Sequence, residues 1–200
     1  MSTTKIGKTP GRPRKFDAEN AVTVAQSLFH ARGYDAVSVA EVTAALEINP
    51  PSFYGVFGSK IGLYNQVLSR YSRTSALPFT EILREGRPVA EALTELLEAA
   101  ARLYAGNETC TGCLVIEGTR CNDPQARESA GAFYRAAERG IYDFIASHYP
   151  QEAERLTAFM SVVMSGLSAK ARQGYSVEQL LESARLAGLA LSAAVQHRPV

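Results

Sequence analysis

An all-α fold of about nine helices is predicted by three observations. Apolar residues recur at helical spacing from Ala21 to Val195, no stretch alternates apolar and polar residues in the manner of a strand, and capping residues with Pro/Gly punctuation cut the pattern into helix-length pieces. No internal repeat accompanies them.

Asp17 is placed to cap a first helix whose Ala21, Ala25, Leu28 and Phe29 form one apolar stripe, and Gly33 stops it. Ser38 and Glu41 have the S-x-x-E spacing of a capping box, and Val39, Val42 and Leu46 then share one face of a short second helix. Glu47, Ile48 and Asn49 leave room only for a tight corner. Asn49 caps a third helix, with Pro50 and Pro51 at first-turn positions whose N–H groups have no intrahelical partner, and Gly58 breaks it after Phe57. Ser59 caps a fourth helix, which begins at Lys60 and carries Leu63, Tyr64, Val67, Leu68 and Tyr71. Pro78 and Gly86-Arg87-Pro88 frame a short helix, Val89, Leu93, Leu96, Leu97, Ala100 and Leu103 pattern a longer one, and Gly106-Asn107 ends it. Cys113 to Thr119 adds a helical turn or two. Asp123-Pro124 opens a helix with Phe133, Ala137, Ile141, Phe144 and Ile145, and after Pro150 another runs through Leu156, Phe159, Val163 and Leu167 to Gly174. Ser176-x-x-Gln179 is a second capping box, opening a last helix through Leu180, Ala184, Ala187, Leu191 and Val195.

The second and third helices, closed by a tight turn, have the layout of a helix-turn-helix. The third is short and buries Phe53 and Phe57 while exposing Asn49, Pro50, Ser52 and Tyr54, which suits a probe in a DNA major groove better than a core element. The bland alternative is a helical corner without a ligand. Charge distribution bears on the choice. The net charge is only +1, but residues 1–75 hold nine Lys/Arg against five Asp/Glu, a balance of +4 that leaves −3 for residues 76–200. Lys5, Lys8, Arg12, Arg14 and Lys15 have no acid among them; beside a helix-turn-helix, Gly11-Arg12-Pro13-Arg14 suits the adjoining minor groove, and otherwise it is a solvated tail.

At residues 12–70 the chain resembles the DNA-binding domain of the TetR family of bacterial transcriptional regulators. The resemblance rests on the Ala21-to-Tyr34 helix ending in Phe29-x-x-x-Gly33-Tyr34, on Ser38-Val39-x-x-Val42, and on Phe53-Tyr54-x-x-Phe57-x-Ser59-Lys60. It implies that Ser38, Tyr54 and Lys60 hold phosphates and that Asn49, Pro50, Pro51 and Ser52 face base edges. Two positions depart from the family pattern: Glu47 stands where a glycine usually makes the turn, and Val56 where a histidine or tyrosine often adds a phosphate contact. The expected organisation is a flexible basic arm over 1–16, a helix-turn-helix domain over 17–62, and a helical regulatory and dimerisation domain over 63–200.

The last two helices interleave small residues with large ones, among them Ser165, Gly166, Ala169, Ala184, Gly188, Ala190 and Ala193. Such faces suit a close helix-helix seam within one chain or between two. The resemblance implies a four-helix dimer interface, for which Val163, Gly166, Leu167, Leu180, Ala184, Gly188 and Leu191 are the expected contacts. A symmetric reader of a palindrome likewise needs two recognition helices about 34 Å apart. The resemblance also implies a small-molecule effector bound in the bundle. Tyr71, Phe79, Leu96, Tyr104, Cys113, Phe133, Tyr134, Phe159 and Met160 are the candidates to line its site, each otherwise a core residue.

Cys110-Thr111-Gly112-Cys113 and Cys121 cluster within twelve positions. No second C-x-x-C is present, and His30, His148 and His197 lie far away in sequence, so no zinc site is expected and neither metal nor cofactor is assigned. Three readings stay open: a thiol sensor of oxidants or electrophiles, a Cu(I) sensor with three thiolate ligands, and a buried Cys113 packing as a small hydrophobe. No nucleophile elbow, glycine-rich phosphate loop or metal-spaced histidine pair supports an enzyme. A helical protein-interaction adaptor is the alternative to a DNA reader, and it would leave Arg12, Arg14, Tyr54 and Lys60 without a role. No apolar run is long enough to span a bilayer and the N-terminus is basic and polar, so a cytoplasmic protein is expected.

Overall fold

The computed structural model describes residues 17–107 and 109–196. Within them lie ten helical segments: α1 (Ala18–Arg32), α2 (Val39–Ala45), α3 (Pro50–Phe57), α4 (Lys60–Thr74), α5 (Phe79–Ile82), α6 (Val89–Ala105), α7 (Leu114–Gly118), α8 (Pro124–Ala146), α9 (Ala153–Arg172) and α10 (Val177–Gln196). The segment read as a turn or two after Cys113 is the five-residue α7. No strand occurs among the described residues.

Local chemistry sets the helix starts. The Asp17 carboxylate accepts from Glu19 N at 3.0 Å and Asn20 N at 3.1 Å, Asn49 Oδ1 from Ser52 N at 2.9 Å, Ser59 Oγ from Gly62 N at 3.0 Å, and Asp123 Oδ1 from Gln125 N at 2.9 Å. Each cap satisfies an orphan amide and is worth about 1 kcal/mol. Both capping boxes form. Glu41 N donates to Ser38 Oγ at 3.2 Å while Ser38 N donates to Glu41 Oε2 at 2.8 Å, and Ser176 pairs with Gln179 in the same way. The Ser38 amide, with Arg32 beside it at 2.6 Å, holds the Glu41 carboxyl down at about 2. The α2–α3 corner turns at Glu47, whose φ of 53° is the only positive value at a non-glycine residue among those described. The turn position at which the resemblance leads one to expect glycine has a left-handed backbone here.

One continuous core runs through the molecule. Helix α4 buries Leu63, Tyr64, Val67, Leu68 and Tyr71, packing on α1 and α3 to one side and on α7 and α8 to the other. Helix α6 buries its apolar stripe from Val89 to Tyr104 between α9 and α10. No described helix is long and apolar enough to cross a membrane.

Here the structure corrects the reading of α10. Leu180, Ala184 and Leu191 are buried within the chain on the α6 side, and Gly188 lies against Thr94 of α6, where an added Cβ would meet Thr94 Cγ2 at 2.6 Å. These four, expected at a partner, are used inside the chain: Leu180 and Leu191 are buried there as core, and the small Ala184 and Gly188 let α10 approach α6 closely. Leu167 is also buried, Val163 half-buried and Gly166 exposed. The large apolar residues left uncovered on these two helices are Val162 (71% exposed), Leu186 (63%) and Leu189 (69%).

Candidate nucleic-acid interface and regulatory cavity

Phe53 and Phe57 anchor α3, fully or nearly buried with ring centroids 5.4 Å apart. Their burial turns Asn49, Pro50, Pro51, Ser52, Tyr54 and Val56 to the surface, Tyr54 being 50% exposed. No residue of α3 is charged. Asn49 uses its Oδ1 to cap the helix and keeps Nδ2 for other work. Ser38 is exposed at the start of α2 with its hydroxyl held by Glu41, 2.9 Å from Oε2. Lys60 does not project with Tyr54. Its Nζ lies 3.9 Å from the Tyr34 ring centroid and half-buried, and burial lowers its pKa against the pull of Asp35 and Asp123. Arg12, Arg14 and the rest of the basic arm lie outside the described residues.

Between α4, α5, α6, α7, α8 and α9 is a cavity of about 560 Å³. Tyr71, Phe79, Tyr104, Cys113, Phe133 and Tyr134 line it, as the sequence suggests; Leu96 and Met160 do not, being fully enclosed core, nor does the half-buried Phe159. Sequence reasoning missed Leu103, Ile116, Ile141, Met164 and a polar pair in the wall, Ser161 donating to Glu138 Oε1 at 2.5 Å. Burial pushes the Tyr71 and Tyr104 phenols well above their ordinary value, so both stay protonated. The mixture of an apolar wall with a few hydroxyls suits an organic small molecule.

The cysteines are all free and go separate ways. Cys113 Sγ faces the cavity and accepts from Tyr71 OH at 3.7 Å. Cys110 is half-buried, its Sγ accepting from Thr109 Oγ1 at 3.8 Å and facing the Ser27 carbonyl at 4.0 Å. Cys121 is buried beside the Asp123 carbonyl, and burial, then Asp35 and Asp123, push its thiol pKa up, which makes it less reactive. No group of three His, Cys, Asp or Glu able to hold a metal exists among the described residues, which overturns the three-thiolate Cu(I) reading. His30, remote from the C-x-x-C in sequence, sits within it in space, its Nε2 3.0 Å from the Gly112 carbonyl.

A short helix held by two buried aromatics, presenting an uncharged polar face and preceded by a capped helix and a tight turn, defines a helix-turn-helix DNA-binding protein with a cavity-bearing helical body. The comparisons agree. Residues 22–67 match the profile described as bacterial regulatory proteins, tetR family. The chain is 56% identical over 191 residues to the HTH-type transcriptional repressor BdcR of Escherichia coli strain K12, covering 96% of this chain and 97% of that one. It is 29% identical to the HTH-type transcriptional repressor ComR of the same strain, over 92% of each chain. Among solved structures, a cysteine-substituted form of the TetR-family regulator CifR complexed with 26-bp double-strand operator DNA is 31% identical, with a TM-score of 0.80 over 90% of this chain and 99% of that one. The chain belongs to the TetR family: it is a DNA-binding transcriptional regulator and not an enzyme.

Proposed function

We propose that the protein acts as a homodimer on a palindromic operator, with α3 in the major groove, and leaves it when a small molecule fills the cavity. The observation that carries this reading is the exposed, uncharged face of α3. Asn49 Nδ2 and Ser52 Oγ offer hydrogen bonds to base edges, and Pro50 and Pro51 offer apolar contact to thymine methyls. Ser38 and Tyr54 serve as phosphate anchors at the rim, and Lys60 joins them if it turns away from Tyr34. With no charge on α3, Arg12, Arg14 and the other basic residues of the arm supply most of the phosphate neutralisation. The 17–62 unit thus reads DNA and the 63–200 unit senses and dimerises.

Dimerisation is supported by Val162 and Gly166 on α9 and by Leu186 and Leu189 on α10, exposed on helices that pack together. An uncovered apolar face on adjoining helices fits a second copy of the chain, which a palindrome also requires. For the effector, the wall composition supports a compact, mostly apolar molecule, and Cys113 is the thiol that a thiol-reactive member of that class would meet. Oxidant sensing through a Cys110–Cys113 pair has less support, since the two sulfurs face different neighbours.

The test is equilibrium binding of the purified protein to duplex from its own upstream region and to random duplex at moderate salt. Preference for the upstream duplex, weakened by Ser52→Glu and Tyr54→Ala, is expected. Equal affinity for the two duplexes would overturn the proposal.

A further inference from the structure

The cavity wall and the DNA-binding helices meet at one polar node. We infer that His30 is the positioning residue through which the state of that wall sets the attitude of α1; the inference rests on the effector reading of the cavity proposed above. His30 occupies the last turn of α1 and is 8% exposed. Its Nε2 lies 3.0 Å from the Gly112 carbonyl, which can only accept, so the ring carries a proton on Nε2 and donates it. The ring meets Tyr71 edge-on, with centroids 5.6 Å apart. The His30 carbonyl is one of the four at the end of α1 without an intrahelical partner, and it accepts from Arg172 Nη2 of α9 at 2.8 Å. Side chain and backbone of one residue thus tie α1 to the body.

The other side of the node is a single peptide unit. Its oxygen, on Gly112, accepts from His30; its N–H, on Cys113, donates to Ser168 Oγ of α9 at 2.9 Å. The next side chain is Cys113, in the cavity wall. A peptide unit is planar and rigid, so displacing Cys113 tilts a plane whose oxygen is held by the DNA-binding helices. Gly112 has little freedom to absorb the motion. Its φ is 78°, its N–H donates to the Tyr104 carbonyl at 2.8 Å, and a Cβ there would meet Ser168 Oγ at 3.0 Å and Arg172 Cγ at 3.1 Å. Among the described residues, other hydrogen bonds between the two parts do not reach the cavity. Asp35 accepts from Asn122 N at 2.6 Å, and Gln26 bonds Arg70 at 2.8 Å and Ser75 at 3.3 Å, and none of these residues lines it.

The test uses the full chain carrying Cys110→Ser and Cys121→Ser, so that Cys113 is the sole thiol, and methyl methanethiosulfonate as the probe. The reagent transfers a methylthio group to the Cys113 sulfur and releases methanesulfinate, enlarging the wall at that point. Binding to the upstream duplex is measured before and after modification, with folding checked by thermal melting. With His30 intact, modification is expected to weaken binding at least about fivefold. In His30→Phe, which keeps a ring and loses the donor, the response should fall below about twofold, and in His30→Gln, whose amide can donate to Gly112, it should return. Arg172→Met, which frees the His30 carbonyl, should also blunt the response and decides the matter if His30→Phe does not fold. No response with His30 intact overturns both the effector reading and the relay. A response undiminished in His30→Phe and Arg172→Met overturns the relay alone, and failure of His30→Gln to restore it overturns the role given to the hydrogen bond.

Discussion

Replacing Gly188 by alanine asks which face of α10 is used inside the chain. The new Cβ would stand 2.6 Å from Thr94 Cγ2, 2.7 Å from its Oγ1 and 3.2 Å from its Cβ, where contact between carbons is comfortable only at about 3.5–4.0 Å. Thr94 has little room to yield, being β-branched on a helix with its hydroxyl donated to the Ala90 carbonyl at 2.6 Å. Overpacking of this kind costs about 1–3 kcal/mol, and the better helix propensity of alanine offsets about 1 kcal/mol of it. Gly188→Ala should therefore destabilise by roughly 1 kcal/mol, a fall in Tm of about 2–4 °C for a chain of this size. Thr94→Ala removes the two closest atoms and leaves only the Cβ at 3.2 Å, so the double variant should recover much of the loss, with a coupling of about 1 kcal/mol in a double-mutant cycle. Urea and thermal unfolding at one fixed protomer concentration measure both, since association would otherwise shift the midpoints. Additive effects, with Gly188→Ala more stable than the native chain, would refute the packing of Gly188 on α6.

Four further outcomes are expected. Tyr64 is fully buried and its hydroxyl has no hydrogen-bond partner among the described residues, so Tyr64→Phe should raise stability by about 1–2 kcal/mol in urea unfolding; a loss would mean that the hydroxyl is bonded. Glu47→Gly relieves a left-handed backbone worth about 1–2 kcal/mol and adds about 0.5–1 kcal/mol of unfolded-state entropy, for a net gain near 0.5–1 kcal/mol that the same assay reads. Burial lowers the His30 pKa below its ordinary 6.5, so on this group's account the unfolded chain binds the extra proton as pH falls through that value; stability should be full above it and decline below it, and urea midpoints from acid to neutral pH should flatten there in His30→Gln. Removing residues 1–15 deletes five Lys/Arg, and the slope of log affinity against log salt should become shallower by up to about 4 in duplex titrations.

The DNA-binding helices were legible because their signals are local. Asp17, Ser38 with Glu41, Asn49 and Ser59 cap helices a few residues away, and Phe53 and Phe57 identify the buried side of α3 by spacing alone. The cavity was half-legible, since a large side chain that lines a space and one enclosed in the core look alike in sequence; Leu96 and Met160 are enclosed core, whereas Tyr71 and Tyr104 line the cavity. On α10 the pattern has two apolar faces, Leu180, Ala184 and Leu191 against Leu186 and Leu189, and periodicity does not say which meets α6. The node at His30 had no sequence signal, because it joins residues 82 apart through a backbone carbonyl that any residue type could supply.

Selection of bound fragments from a random duplex library by the full chain tests the docking of α3 most directly. The expected yield is a palindrome whose half-sites lie about one helical turn, or a multiple of it, apart, with the preferred base changing at one half-site position when Ser52 or Asn49 is replaced. A pool without enrichment, or a site lacking two-fold symmetry, would contradict a dimeric reader that probes the groove with Asn49, Pro50, Pro51 and Ser52.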